Sequence, residues 1–146
     1  MRMKSARWAP FLLLVLVGCA AGGGERQQRI SDALDQLTTD TEYAATERCL
    51  STFDYDQVEV LDDRHLLFRD RNRYWLNELR SRCPGLRRHD TLLFERRSPQ
   101  LCALDTAAVV QRFLFFWQRT GPTCTLGDFH QLTEPQAALL REAMRS

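Results

Sequence analysis

"AAVVQRFLFFWQ", residues 107–118, is the stretch on which the fold turns. Read as a strand, it puts Val109, Phe113, Phe115 and Trp117 on one face, with Gln111 interrupting. Read as a helix, it lines up Val109, Val110, Phe113, Leu114 and Trp117 as a stripe. Both readings bury apolar side chains, so periodicity alone does not choose between them. The density of β-branched and aromatic residues favours the strand, because such side chains fit a pleated surface.

The residues N-terminal to this stretch agree with a β-rich chain. "DQVEVLDDRHLLFRDRNRYWLNEL", residues 56–79, alternates and breaks in the manner of a meander. Val58 and Val60 share a face, Asp62-Asp63 mark a turn, and Leu66 to Phe68 form the next strand. "RDRN" is a second turn, after which Tyr74, Leu76 and Leu79 begin a third element. "CPGL", residues 83–86, must be a loop, since Pro84 and Gly85 interrupt any regular element. "TLLFERR" and "QLCAL" flank Ser98-Pro99 as an expected hairpin, and "CTLGDF", residues 124–129, reads as a last strand.

Helical signals lie at the two ends. Ile30, Ala33, Leu34 and Leu37 recur at i, i+3, i+4 and i+7, the stripe of an amphipathic helix. "DTEYAATERC" extends this as a second short helix from Asp40. Near the C-terminus, "TEPQAALLREAMR" begins at Thr133 with Gln136 three residues on, a capping box, and Pro135 is tolerated in the first turn. The expected class is therefore α+β: six or seven short antiparallel strands, as a curled sheet or small barrel, with an N-terminal and a C-terminal helix.

The first twenty residues have a different character. Arg2, Lys4 and Arg7 precede "FLLLVLV", the apolar run from Phe11 to Val17, and Gly18-Cys19 follows. A basic stretch, a short apolar core and small residues at a processing point are the parts of a secretory signal. Spanning a bilayer as a helix takes about 20 residues, more than this run supplies. Leu16-Val17-Gly18-Cys19 resembles the bacterial lipobox. That resemblance implies diacylation of the Cys19 thiol, cleavage after Gly18, and an acyl chain on the new amine. Several chains are needed because each buried methylene contributes roughly 0.8 kcal/mol and one chain holds only marginally. Ala20 follows the cysteine, and without an aspartate there the likeness favours the periplasmic leaflet of the outer membrane.

The organisation expected is then residues 1–18 as signal, 19–24 as lipidated cysteine and glycine-rich tether, 25–48 as a helical segment, and 49–146 as the β-rich domain. Removing the signal turns the formal net charge of +1 into −2. Charge is unevenly placed: residues 25–63 hold three Arg and eleven Asp or Glu, whereas residues 64–97 hold ten Arg and four acids. Either the basic middle meets something anionic, or it packs against the acidic segment; ordinary solvated faces account for most such patterns. A near-neutral total and an exported address exclude nucleic acid as the expected partner.

Four cysteines remain beside Cys19: Cys49, Cys83, Cys102 and Cys124. An even number in an exported domain implies disulfides. There is no C-x-x-C pair to suggest a metal. Consecutive pairing, Cys49–Cys83 with Cys102–Cys124, closes the shortest loops and is the weakly preferred connectivity of the three.

With "RCL", "VLDDRHLLF", "YWLNELRSRCPGL", "LCALD" and "CTLGDF" in view, the chain resembles, over roughly residues 46–130, a family of small uncharacterised proteobacterial lipoproteins. In that family a lipobox precedes a cysteine-containing β-rich domain with a "CxGL"-like loop. The likeness lends no catalytic or ligand residues.

Three features could carry chemistry. Asp54, Asp56, Asp62, Asp63 and His65 bring carboxylates and an imidazole together, but without the glycine of a calcium loop; turn and strand-edge aspartates explain them better. His65, His89 and His130 are scattered and accompany no nucleophile motif. Tyr74-Trp75, "FLFFW" and the arginines of "RSRCPGLRRHD" could bind envelope glycans or lipid phosphates, although aromatics usually form the core. No catalytic residue, metal ligand or cofactor is assigned. The expected role is a non-enzymatic binding or structural accessory domain, held to membrane lipid through acylated Cys19 and contacting an envelope protein or polymer. The alternatives are a cell-envelope hydrolase and a small-ligand or metal-binding module.

Overall fold

A computed structural model describes residues 21–40, 43 and 46–145. Residues 1–18, expected as a signal, and Cys19 lie outside these residues. In chain order the elements are α1 (Ala21–Thr38), β1 (Thr46–Glu47), β2 (Cys49–Ser51), β3 (Gln57–Val60), β4 (His65–Asp70), β5 (Arg73–Glu78), β6 (Thr91–Glu95), β7 (Gln100–Cys102), β8 (Thr106–Phe113), β9 (Phe116–Thr125), β10 (Phe129–Leu132) and α2 (Glu134–Met144). The class is α+β, as expected. The described strands number ten rather than six or seven, and they form three antiparallel sheets, none closed into a barrel.

The central sheet has the order β1-β10-β5-β4-β3. Its core is the expected meander. Val60 stands opposite Leu66 and Phe68 opposite Trp75, with Asp62-Asp63 and the two-residue turn Arg71-Asn72 at the bends. Asp62 fixes the first bend, because its Oδ1 accepts hydrogen bonds from the backbone N–H of Arg64 and of His65, both at 2.7 Å.

Strands β4 and β5 are covered on both faces, which explains why "LLF" and "YWL" are continuous apolar runs rather than alternations. Leu66, Phe68 and Trp75 join one core with Leu50, Leu101, Ala107, Val109, Leu126 and Phe129. Leu67, Tyr74 and Leu76 join a second core with Ile30, Ala33, Leu34 and Leu37 of α1 and Ala137 and Leu140 of α2. The helices thus cover one face and the smaller sheets the other. The α1 stripe is fully buried, as its spacing requires. α2 begins after Thr133, whose N–H donates to the Gln136 side chain at 2.9 Å. Gln136 in turn donates to Asp40 at 2.7 Å, tying α2 to the end of α1.

Several expectations are corrected. The helix proposed from Asp40 does not continue to residue 48: Thr46–Glu47 pairs with β10 and Cys49–Ser51 with β7, so tertiary pairing overrides local preference. β6 and β7 do not form a hairpin across Ser98-Pro99. β6 pairs with β8 and β7 with β2, and the buried Asp105 holds the divergence by accepting from the N–H of Arg97 and of Cys102. "CTLGDF" is not one strand; β9 ends at Thr125, and β10 starts at Phe129. Finally, 107–118 is extended but not a single strand, since the chain reverses at Leu114-Phe115. Residues 21–24, read as tether, are the first residues of α1.

The cysteines form two bridges, in a pairing other than the preferred one. Cys49 joins Cys102 and Cys83 joins Cys124. Loop length misled here: β2 and β7 place Cys49 directly opposite Cys102. The two-stranded sheet has only three residue pairs and would not persist alone, so the bridge fixes it. The second bridge ties the loop after β5 to β9, linking the central sheet to the three-stranded one.

Candidate functional site: an apolar hairpin tip beside a polar cleft

β8 and β9 are the longest strands, and they outrun their neighbour. β6 ends its pairing where Thr91 meets Val110. Beyond that row the ribbon continues as Gln111 opposite Gln118, Arg112 opposite Trp117, and Phe113 opposite Phe116. A register shift lies between Ala108 and Val110, an irregularity of the kind that bends a ribbon. Gly121 permits the bend, since a Cβ there would meet the Val109 Cβ at 2.9 Å.

The end of this ribbon is apolar and bare. Phe115 is 96% exposed and Leu114 70%, and Phe113, Phe116 and Trp117 are each more than half exposed. The rings of Phe113 and Phe116 pack on each other at 5.6 Å between centroids and on no other aromatic ring among the described residues. Tyr74 and Trp75 are by contrast buried; Phe53, in the turn after β2, is bare too, but it stands alone rather than in a run. A contiguous exposed apolar patch marks an interaction site.

Leu114 reinforces the point. It occupies the first turn position with φ 51°, a left-handed conformation for which Asn or Gly is usual. The leucine therefore carries both a conformational cost of about 1–2 kcal/mol and an exposed apolar side chain. Leu114→Asn should stabilise the domain in solution by about 1 kcal/mol, read as a higher denaturant midpoint at unchanged slope. A loss of stability would show that the leucine supports the fold.

The second feature is an open cleft of about 890 Å³ between α1 and the end of the central sheet, bordered by Gly24, Gln27, Asp62, His65, Arg87 and Arg88 among others. Three of its acidic groups, Asp62, Asp63 and Glu78, are engaged. The Asp62 carboxylate takes His65 Nδ1 at 2.9 Å besides its two backbone donors. Burial alone would raise the Asp62 carboxyl, but the hydrogen bonds from His65 and the backbone outweigh it and hold its pKa below the ordinary value. Asp63 pairs with Arg82 at 3.0 Å and Glu78 with Arg64 at 2.6 Å. Asp54 caps its own turn by accepting from the Ser51 N–H at 3.0 Å. Among the described residues no three His, Cys, Asp or Glu side chains converge as a metal site.

The histidines have separate structural surroundings. His65 serves Asp62, while His130 stacks on Tyr43 at 4.3 Å and hydrogen-bonds its carbonyl at 3.0 Å. Burial, then the charge of Glu78, pushes the Tyr43 phenol up to about 12. His89 lies in the turn before β6. The acidic N-terminal segment and the basic middle do meet, through Arg73–Asp54 and Arg82–Asp63. Arginine ion pairs among the described residues are made by Arg64, Arg73, Arg82, Arg119, Arg141 and Arg145. Arg87, Arg88 and Arg112 are among the eleven described arginines that these pairs leave without a carboxylate partner.

The exposed tip escaped the sequence reading because aromatic runs are most often core. The signal that could have revealed it is the distribution around the turn, where Gln111, Arg112, Gln118 and Arg119 bracket an unbroken apolar pentapeptide. Among the described residues no helix is long and apolar enough to cross a membrane. The profile of a family of unknown function (DUF6491) matches residues 2–146. No curated protein and no solved structure matches the chain.

Proposed function

We propose, for a chain that belongs to the DUF6491 family of unknown function, a role as an envelope lipoprotein: a non-enzymatic binding or structural accessory domain anchored through Cys19 in the outer membrane and facing the periplasm. The observation that carries this reading is the order basic stretch, apolar run 11–17, Gly18-Cys19 at the N-terminus. Two disulfides in the following domain support it, because such bridges form and persist in an oxidising compartment. The engagement of Asp62, Asp63 and Glu78 favours a structural or binding role over hydrolysis at those groups, since a general base needs a free lone pair aimed at substrate. The partner of the domain is an envelope protein or polymer in addition to membrane lipid.

Metabolic labelling with radioactive palmitate tests the anchor. The wild-type polypeptide should take up label and sediment with outer membranes, and Cys19→Ser should do neither. Equal labelling of the two chains, or none of either, would overturn the assignment.

A further inference from the structure

We infer that the β8–β9 hairpin tip, residues 113–117, inserts into the interfacial layer of an anionic phospholipid bilayer, with Arg87, Arg88 and Arg112 meeting lipid phosphates at its base. The inference rests on the lipoprotein reading for the nearness of the bilayer.

The shape of the apolar surface selects lipid over a protein groove. On a two-stranded ribbon, successive residue pairs face opposite sides. Phe113 and Phe116 form one pair, Trp117 belongs to the next, and Leu114 and Phe115 cap the end. Apolar groups therefore point to both sides of the ribbon and off its end. A groove contacts one face of a ribbon, whereas a fluid apolar medium accepts all of them. The change to polar residues is abrupt, at Arg112 and the Gln111–Gln118 pair. From that boundary to the turn the ribbon projects roughly 10 Å at about 3.3 Å per residue, comparable to the depth at which interfacial apolar elements sit. Trp117 lies at the boundary, where an amphipathic indole is favoured.

Charge and chain geometry point the same way. Arg112 faces Trp117 across the ribbon, and like Arg87 and Arg88 it has no carboxylate partner among the described residues. Arg87 and Arg88 border the cleft that also contains Gly24 and Gln27 of α1. Burial and then the charge of Arg88 lower the Arg26 pKa, which puts Arg88 near the first turns of that helix. Two residues after His89 the chain enters β6, where Thr91 is paired with Val110 at the foot of the tip. The start of α1 and the hairpin tip are thus joined through the short segment 87–91. Cys19 precedes the first residue of α1 by only two positions, a reach of about 7 Å at most. Acyl chains on Cys19 would hold this end of the domain against the membrane, with an exposed apolar tip and unpaired arginines beside it. Arginine matches phosphate through its planar fork.

The test uses the full chain purified from membranes in its lipid-bearing form and reconstituted into phosphatidylethanolamine–phosphatidylglycerol vesicles with brominated acyl chains. Trp117 is read as the difference between wild type and Trp117→Phe, which removes the background of the buried Trp75. Insertion predicts blue-shifted Trp117 emission that loses most of its intensity to bromine. Phe115→Asp should abolish both effects, and Arg112→Glu should weaken them. Emission from Trp117 that stays at its solvent-exposed wavelength and unquenched would overturn the proposal. So would a blue shift that appears without vesicles and grows with protein concentration, which marks a second copy as the occupant. Mass measurement on the same preparation reports acylation separately. A chain found unacylated would sink the anchor reading, while Trp117 quenching would still decide whether the tip enters lipid.

Discussion

Gly127→Ala should cost about 4 kcal/mol, at the upper end of single substitutions, and leave the domain barely folded. A Cβ at this position would stand 2.0 Å from the Glu78 backbone oxygen. The obstacle is backbone, so no side chain can swing aside. The approach is close because Asn77, fully buried, clasps residue 127 from both sides. Its Nδ2 donates to the Gly127 carbonyl at 2.8 Å, and its Oδ1 accepts from the Gly127 N–H at 3.2 Å. Pushing the segment away to admit a methyl group would strip these bonds and leave buried polar atoms unsatisfied, each at about 1–3 kcal/mol. It would also disturb the Phe129–Asn77 row, where β10 joins the central sheet. Chemical denaturation under oxidising conditions measures the effect. A loss below about 1 kcal/mol would mean that β5 and the 126–128 link do not pack this closely.

Removing a bridge should have a similar effect. The Cys49–Cys102 bridge closes a separation of 53 residues and Cys83–Cys124 one of 41. In the chain-entropy account a loop of this size contributes about 4 kcal/mol by restricting the unfolded chain. The loops overlap, so the second contributes less once the first is closed. Together they are comparable to the whole stability of an ordinary domain, about 5–15 kcal/mol. Reduction of both should therefore abolish the cooperative thermal transition at physiological temperature, with loss of near-ultraviolet circular dichroism. Cys83→Ser with Cys124→Ser should lower stability by about 4 kcal/mol and free the loop after β5 from β9. A reduced chain that keeps a sharp transition near the oxidised one would show that the bridges are incidental. The structural support for an oxidising compartment would then be lost.

Local signals were legible where neighbouring residues decide the outcome. The β3–β4–β5 meander depends on turns of Asp62-Asp63 and Arg71-Asn72 and on adjacent apolar runs, all within twenty-odd residues of sequence. The α1 stripe and the Thr133–Gln136 start of α2 are likewise local. Partnership between distant segments was not legible. Whether β6 meets β7 or β8 depends on the buried Asp105 carboxylate and on space beside the central sheet, neither of which appears as a pattern. The bridge partners depend on the β2–β7 register, so a shortest-loop argument chose wrongly. The two-residue turn at Leu114-Phe115 was hidden because it lacks the Asn or Gly that usually marks a hairpin. That departure from turn chemistry coincides with a contiguous run of exposed apolar side chains, Phe113 to Trp117, a conflict of local rules of the kind found at functional sites. The candidate site was thus present in the sequence as residues but not as a surface.

Intact-mass measurement of the mature chain extracted from membranes tests the account most directly. The account predicts a polypeptide beginning at Cys19, carrying a diacylglyceryl group and an amide-linked acyl chain, and lacking the hydrogens of two disulfides. A polypeptide that keeps residues 1–18, begins at Cys19 without lipid, or carries four free thiols would contradict it.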